Sequence, residues 1–533
     1  MSRQMHRVTS EHRDLPYTSL EAARTRSESS VLAAAEIADP ELPEDEGMMS
    51  AMELEQGNLL SMKSQQFQPW LFGHPRGLYV LAGTEVWERF GFYGMRSLLI
   101  LYMTQDLFLP ENRDSVWGLT SLAGNSLSDD PVAGPQILAS KVYGMYTCFA
   151  YLTPMAGGFL ADQYLGRRQT VMLGASLMSA GYLLLGLLPA AFLPALCLIA
   201  LGSGALKPNV SSQIGAMYEP WDSRKTSAFL IFYCSINLGA FLSPLVSGVL
   251  HATMGFSAGF LASSVAVLAG LIQYTLGLKY IPMDRHEDLD SKSKCSLSDD
   301  GKEQEESRLR RSFLSRLYAH RLRLSAILCV CFLTVGFWGV YEQQGNTLPI
   351  FVDQDVQMTI GSLRIPTEFA QSINPLLIIL FTPLLSAFWR WQAKSDREPG
   401  SLTKMCIGCF ILSLCYTWLT IVVDTTSPSD KVGLQHLLAG ISFSTLGELY
   451  LAPVGLSFVS ETAPEELTAF VMGMWFIAAS VGFYVCGALG TLYSQMSRGS
   501  FFGMLALIAL VNGILLLFAK GVLHRLIFMS SPG

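Results

Sequence analysis

The chain has 533 residues, of which 15% are charged and 50% are hydrophobic. Soluble domains carry roughly 25% charged residues, whereas here 37 of the 79 charges fall in residues 1–70 and 281–323, which leaves 42 for the other 420 positions. This composition excludes a disordered, collagen-like, disulfide-scaffold or nucleic-acid-binding protein, and it indicates a chain that crosses a membrane many times.

Residues 1–70 are polar and acidic, and no signal peptide precedes the first apolar run. We therefore expect this segment to be a disordered tail. Twelve apolar stretches follow, each long enough for the about 20 residues that span a bilayer. They cover residues 78–104, 141–161, 170–189, 192–214, 226–250, 257–280, 324–351, 368–391, 402–423, 435–459, 467–492 and 502–526.

The long charged segment 281–323 divides the twelve stretches into two sets of six. The predicted domains are a cytoplasmic tail at 1–70, a six-helix bundle at 71–280, a linker at 281–323 and a second six-helix bundle at 324–533. Two such halves are typical of major-facilitator-type secondary transporters. We therefore predict an all-α membrane protein of that fold, with twelve transmembrane helices.

The distribution of Lys and Arg predicts the orientation, because short cytoplasmic loops carry an excess of them. With the N-terminus inside, the inner loops hold Arg167, Arg168, Arg224, Lys225 and ten basic residues between positions 285 and 323. The outer loops hold few basic residues. We therefore expect a multi-pass protein of the cell membrane with both termini in the cytoplasm.

The first predicted span contains four charged residues, although a charge near the middle of a bilayer costs about 2.5–3.5 kcal/mol. Glu85, Glu88, Arg89 and Arg96 lie within roughly a 100° arc of a helix. They form either a self-neutralising cluster that holds the span to its neighbours or the wall of a cavity. Two acids beside an arginine provide a proton site, because one acid pairs with the arginine while the other titrates.

Three further charged residues lie in other spans: Lys207 in span four, Glu342 in span seven and Glu448 in span ten. Lys207 either meets a carboxylate or extends its ammonium to the membrane surface. Bases dominate the first half and acids the second, and a cavity with one wall of each sign suits a small zwitterion. Four uncharged residues complete this set: Tyr151, Asn237, Asn374 and Trp475.

Six motifs occur in order along the chain. The most specific are EVWERF at 85–90, GALKPNVS at 204–211 and FYCSINLG at 232–239. The others are GGFLADQYLGRR at 157–168, NP at 374–375, and GEL with PVGLS within 447–457. Over about residues 74–526, the sequence resembles the proton-dependent oligopeptide transporter family (PTR/POT) of the major facilitator superfamily.

The resemblance implies a symporter that imports di- and tripeptides with protons by alternating access. The proton-coupling residues would be Glu85, Glu88, Arg89 and Lys207. The substrate would contact Tyr93, Arg96, Tyr151, Lys207, Asn237, Asn374, Glu448 and Trp475, and the gating salt bridges would use Arg96, Glu342, Lys207 and Glu448.

No span offers a nucleophile beside a base or three metal ligands, so we expect neither an enzyme nor a metal or cofactor site. The expected partners are peptides, protons and the lipid bilayer. Nucleic acid is not expected, and one chain with both bundles is enough for a monomer to function.

The sequence departs from the family pattern at several positions. Phe92 stands where many members have a tyrosine, and Glu342 lies one position earlier than the acid of several bacterial members. One residue turns a helix by about 100°, which leaves open whether Glu342 pairs with Arg96. Segment 281–323 is too polar to supply the two extra helices of many bacterial members, and a long outer loop of about 105–139 has no evident role.

Two other functions remain open. One is a transporter of the same fold for another small anionic or zwitterionic solute. The other is a membrane receptor that senses peptide without net transport, although a receptor has no need of a proton site.

Overall fold

The computed structural model describes residues 70–124, 130–219, 221–282, 315–427 and 429–528. The predicted tail and most of the predicted linker lie outside these residues. Within them, twelve long helices confirm the predicted all-α membrane fold. The first six are α1 (Arg76–Tyr102), α2 (Ala133–Leu160), α3 (Gly166–Leu187), α4 (Phe192–Ala216), α5 (Arg224–Met254) and α6 (Phe256–Gly277). The other six are α7 (Arg321–Tyr341), α8 (Phe369–Ala393), α9 (Ser401–Thr425), α10 (Leu434–Thr462), α11 (Thr468–Gly490) and α12 (Arg498–Phe528).

By length and apolar composition, ten helical segments of the described residues can cross a membrane. One of the ten, Ala133–Leu187, contains both α2 and α3. The charged residues of α1 keep it out of the ten. Its length of 27 residues is nevertheless sufficient, because a span needs about 20.

The helices pack as two groups of six. Within the first group, α1 packs on α5 and α6, and α4 packs on α2 and α3. Within the second group, α9 packs on α10 and α12, and α7 packs on α11 and α12. The main contacts between the groups are α2 with α11 and α5 with α8. The two ends of the helical assembly are named after the first and last residues of α1. The end where α1 begins is the Arg76 end, and the end where it finishes is the Tyr102 end.

Glycines allow the closest approach between the groups. A Cβ atom added to Gly144 of α2 would lie 2.6 Å from the Cα of Gly487 in α11. Any side chain at either position would push the two backbones apart. The crossing of α2 and α11 therefore depends on these two residues, in the manner of the small-residue contacts of membrane helices.

Two connections differ from the expectation. The predicted outer loop extends to about 139, but α2 begins at Ala133 because a proline such as Pro135 is tolerated in the first helical turn. The predicted span 324–351 is one apolar run, but in the structure it is divided. After α7 come a 3₁₀ turn, Glu342–Gln344, and a short helix, Thr347–Asp355.

Short strands cover the Tyr102 end of the second group. β1 (Val356–Gln357) pairs in parallel with Val432–Gly433, the fourth strand in chain order. Between them, β2 (Thr359–Ile360) and β3 (Leu363–Arg364) form a small antiparallel hairpin. These strands fix the connections that lead into α8 and α10, and both helices contribute to the site.

Candidate functional site

The two acids and the arginine of the predicted proton site lie together on α1. Arg89 Nε lies 3.1 Å from Glu85 Oε1, and the same guanidinium also binds the carboxylate of Glu88. All three side chains are at least 90% buried. Ser203 of α4 donates a hydrogen bond of 3.4 Å to Glu88, whereas Glu85 Oε2 has no hydrogen-bond partner in the described part of the chain. One oxygen of this cluster is therefore available to carry a proton.

Lys207 of α4 lies beside aromatic rings. Its ammonium is 4.5 Å from the ring centre of Phe92 and 5.6 Å from that of Tyr151. Among the described residues, Lys207 forms no ion pair within 4.0 Å, so the expected gating contact with Glu448 is not made in this conformation. A cation over the face of an aromatic ring is stabilised electrostatically. The phenyl ring of Phe92 thus supports Lys207 without supplying a hydroxyl.

Arg96, about two helical turns beyond the Glu85–Glu88–Arg89 cluster, joins the two groups of helices. Its Nη2 lies 2.6 Å from Glu342 Oε1, and its Nε donates to the Tyr143 hydroxyl at 3.1 Å. Tyr143 in turn donates to the same Glu342 oxygen at 2.9 Å. The structure therefore answers the question that the sequence left open: Glu342 does pair with Arg96. A Cβ at Gly345 would lie 1.9 Å from the Tyr143 oxygen, so this packing requires glycine there.

A cavity of about 150 Å³ lies between the two groups of helices. The first group contributes Tyr93, Arg96, Tyr151, Asn237 and Ala240 to its wall. The second contributes residues of α7, α8, α10 and α11, of the 3₁₀ turn after α7 and of the short helix Thr347–Asp355. Seven predicted residues line it: Tyr93, Arg96, Tyr151, Asn237, Glu342, Asn374 and Glu448. The structure thus brings together most of the residues that the sequence assigned to substrate and gating.

The acidic wall of the cavity is a hydrogen-bonded group centred on Glu448. Asn374 of α8 donates to Glu448 Oε2 at 3.0 Å and lies at the same distance from the hydroxyl of Thr445. It also lies 3.4 Å from the Tyr341 hydroxyl. These contacts hold the Glu448 carboxylate at the cavity wall, where an ammonium group of a ligand can pair with it.

Two of the residues that the sequence assigned to substrate and gating lie outside this wall. Neither Trp475 nor Lys207 is among the described residues that line the 150 Å³ cavity. Trp475 of α11 is buried, and its indole ring packs against Gly455 of α10. Lys207 lies beside this wall, with its ammonium 5.6 Å from the ring centre of Tyr151.

The sequence reasoning missed Tyr143 and Tyr341. Tyr143 lies eight residues before Tyr151 on α2, a spacing that places both on one helical face. That spacing was the available signal for Tyr143. Tyr341 directly precedes Glu342 in an aromatic run, Phe337 to Tyr341, and nothing in the sequence distinguishes it from residues that only pack.

Further hydrogen bonds between the two groups lie toward the Tyr102 end. The Gln136 side chain donates to the Gly490 carbonyl at 2.8 Å, and Ser372 donates to the Phe241 carbonyl at 2.8 Å. His251 Nδ1 lies 2.6 Å from Glu368 Oε1. Together with the Arg96 contact, they join the two groups of helices toward the Tyr102 end.

Solved structures with the same fold define the class of protein. A crystal structure of a peptide transporter POT in complex with sulfate matches with a TM-score of 0.72 at 28% identity, over 88% of this chain and 99% of that one. A POT family transporter in complex with a thioalcohol-conjugated peptide matches with a TM-score of 0.71 at 26% identity, over 86% and 99% of the two chains. The fold and the charged cavity are those of a multi-pass membrane transporter.

The sequence identifies the family within this class. The POT family pattern, PTR2, matches residues 168–504. The peptide transporter YePEPT of Yersinia enterocolitica is 30% identical over 79% of this chain and 88% of its own, and a di-/tripeptide transporter of Lactococcus lactis is 27% identical over 85% and 97%. An uncharacterized transporter, YclF of Bacillus subtilis, is 30% identical over 86% and 96%. The chain belongs to the POT family.

Proposed function

We propose that this protein imports di- and tripeptides together with protons by alternating access. The observation that carries the proposal is the cavity of about 150 Å³, which has Arg96 on one wall and the Glu448–Asn374 group on the other. A short peptide is a zwitterion whose two charged ends need partners of opposite sign. The named peptide transporters to which the chain is similar support this choice of substrate.

The binding roles follow from the charges. The peptide carboxylate pairs with Arg96 and with Lys207, whose ammonium has no carboxylate partner among the described residues. The peptide ammonium pairs with Glu448, positioned by Asn374, and Asn237 hydrogen-bonds beside it. Tyr93 and Tyr151 form the wall between the two ends, and Trp475 contributes when the helices around Gly455 move.

The proton is carried by the cluster on α1. Arg89 holds the Glu85 and Glu88 carboxylates together, so a proton on either acid weakens its bond to the guanidinium. The freed guanidinium charge then favours an anion nearby, such as a peptide carboxylate held at Lys207. Protonation and peptide binding are thereby coupled, as symport requires.

Alternating access uses the contacts at the Tyr102 end. The Arg96–Glu342 bond and its Tyr143 partner close that end in this structure. A Lys207–Glu448 bond closes the other end in the opposite state. With Arg167, Arg168, Arg224 and Lys225 in the cytoplasm, the Arg76 end faces the cytoplasm and both termini lie there. One chain contains the whole pathway, so the monomer transports.

The test is uptake into proteoliposomes of purified protein. With the outside at lower pH, labelled Ala-Ala should accumulate, labelled alanine should not, and a protonophore should abolish the accumulation. Absence of uptake of every di- and tripeptide under this gradient would overturn the proposal.

Replacement of Glu88 by glutamine separates coupling from binding. The Glu88→Gln variant should lose gradient-driven uptake and keep exchange of labelled for unlabelled Ala-Ala, since only the proton site is changed. Loss of both activities would assign Glu88 a structural role instead. Glu398→Gln is the matched control, because Glu398 pairs with Lys404 at 2.5 Å, away from the cavity.

A further inference from the structure

The 3₁₀ turn after α7 directs three consecutive side chains to three different partners. A 3₁₀ helix has three residues per turn, so neighbouring side chains point about 120° apart. Glu342 contacts Arg96 of α1, and Gln343 donates to the Cys486 carbonyl of α11 at 2.9 Å. Gln344 donates to the Ser444 hydroxyl of α10 at 2.7 Å. Gln344 is therefore held on the side of the turn that faces α10.

A second cavity lies on that side. Its volume is about 10 Å³, close to the space of one water molecule. Three residues line both this pocket and the 150 Å³ cavity: Gln344, Leu348 and Ile441. Most of its remaining wall is apolar and comes from α9 and α10: Cys415, Tyr416, Leu419, Leu437, Gly440 and Ser444. We call it the α9–α10 pocket.

We propose that Gln344 is a specificity-determining residue: its side chain separates the α9–α10 pocket from the transport cavity and limits the length of aliphatic side chain that a peptide can carry at one position. This inference rests on the proposed peptide transport. It adds a site for a side chain of the substrate to the sites for its two charged ends.

The geometry supports this division of roles. Arg96 and the Glu448–Asn374 group fix the ends of the peptide, so its side chains extend sideways toward the cavity wall. Where the cavity adjoins the α9–α10 pocket, its wall includes the three residues that line both spaces, Gln344, Leu348 and Ile441. The hydrogen bond to Ser444 keeps the Gln344 amide in place across the opening. An apolar pocket of this kind gains nothing from water and favours hydrocarbon.

Truncation of Gln344 joins the two spaces. The Gln344→Ala change removes four heavy atoms from the partition and exposes the apolar wall of the α9–α10 pocket to the substrate. Each methylene that a peptide side chain then buries improves affinity roughly fourfold, which corresponds to about 0.8 kcal/mol. The Gln344→Ala change should therefore improve the affinity for peptides with longer unbranched side chains relative to peptides with a methyl side chain.

The experiment measures KM for two dipeptide series in proteoliposomes, Ala-Xaa and Xaa-Ala, where Xaa is alanine, aminobutyrate, norvaline or norleucine. For Gln344→Ala, the ratio of KM for norvaline to KM for alanine should fall at least roughly threefold relative to wild type in one series. Ser444→Ala should shift the ratio in the same direction by a smaller factor. This change removes the hydrogen bond that holds the Gln344 amide but leaves the volume of the Gln344 side chain in place. Ser442→Ala changes a half-buried serine of α10 that is not among the described residues lining either space, and it should leave both the ratio and the uptake unchanged.

Further variants keep the inference testable. Ile441→Ala opens the same partition from α10 and replaces Gln344→Ala if that variant does not fold. Gln371→Ala changes a glutamine that lines the cavity and not the α9–α10 pocket, and its KM ratio should equal that of wild type. Unchanged ratios in both series, in a folded Gln344→Ala or Ile441→Ala protein that transports Ala-Ala, would overturn the inference. Failure of wild type to transport any peptide would overturn the proposed function instead.

Discussion

Replacement of Glu342 by glutamine tests the contact that joins the two groups of helices at the Tyr102 end. The Arg96 side chain is 17% exposed and that of Glu342 is 7% exposed. Loss of one partner from a buried ion pair costs about 3–5 kcal/mol, because the other charge stays buried. Glutamine keeps a hydrogen-bond acceptor and Arg96 keeps some solvent, so the lower figure, about 3 kcal/mol, applies.

This free energy acts on the equilibrium between the closed and open states of the Tyr102 end. About 3 kcal/mol changes an equilibrium constant by roughly two orders of magnitude. Spin labels at the exposed positions Met254 and Leu363, one in each half, report the separation by double electron–electron resonance. In a background without native cysteines, Glu342→Gln should transfer much of the population from the short to a longer distance.

The matched control removes an acid at the same end that does not join the halves. Asp355 lies 3.1 Å from Arg498, and both side chains are about one third exposed. Such a surface pair contributes about 0–1 kcal/mol, and both residues belong to the second group. Asp355→Asn should leave the distance distribution as in wild type. A Glu342→Gln distribution identical to that of Asp355→Asn would refute the reasoning.

Three more predictions concern packing, affinity and pH. Gly345→Ala, whose methyl group would meet the Tyr143 hydroxyl, should open the Tyr102 end in the same spin-label assay without any change of charge; an unchanged distribution would contradict this. Asn374→Ala should raise the KM for Ala-Ala roughly tenfold, because Glu448 loses a hydrogen bond to a charged group worth about 1.5–3 kcal/mol, and an unchanged KM would remove Asn374 from the site. Burial, and to a smaller extent the positive charge of Arg224, lower the pKa of His74 below 6.5 in the folded protein. Folding therefore favours the neutral imidazole. The stability that neutral His74 contributes is present above about pH 6.5 and is lost as the pH falls through the lower pKa of the folded state. The melting temperature of His74→Gln should therefore fall less than that of wild type when the pH is lowered from about 7.5 to about 5.5. An equal fall in the two proteins would contradict the lowered pKa of His74.

The sequence predicted the fold well because its signal is coarse. A run of about 20 apolar residues has one solution in a bilayer, a helix, and α1 and α4 begin and end within two residues of their predicted spans. The prediction of span seven as one continuous helix was wrong in detail, because a 3₁₀ turn at Glu342–Gln344 interrupts it. Hydropathy averaged over a whole span hides such a break, because apolar residues flank the polar segment 342–346 on both sides.

The candidate site was predictable where charge made it visible. Glu85, Arg96 and Glu448 are exceptional because each is an ion in an apolar helix, and the structure places all three beside partners. Partners that are themselves ordinary in a membrane helix were not visible. Tyr143 is an aromatic residue among many, and apart from its spacing from Tyr151 it is its contacts with Arg96 and Glu342 that distinguish it.

The angular argument about Glu342 assumed a regular α-helix, in which one residue turns by about 100°. The structure has a 3₁₀ turn at this position, so the direction of each side chain depends on where the α-helix ends. Pairing across two separate helical groups also depends on their relative placement. Neither quantity can be derived from the spacing of residues in one segment.

The central claim is that peptide and proton move together through the Glu88 site, and proton entry evoked by peptide tests it most directly. With a pH-sensitive dye inside the proteoliposomes, addition of Ala-Ala outside should acidify the lumen for wild type and not for Glu88→Gln. Entry of labelled Ala-Ala without acidification, or equal acidification in the two proteins, would contradict the account.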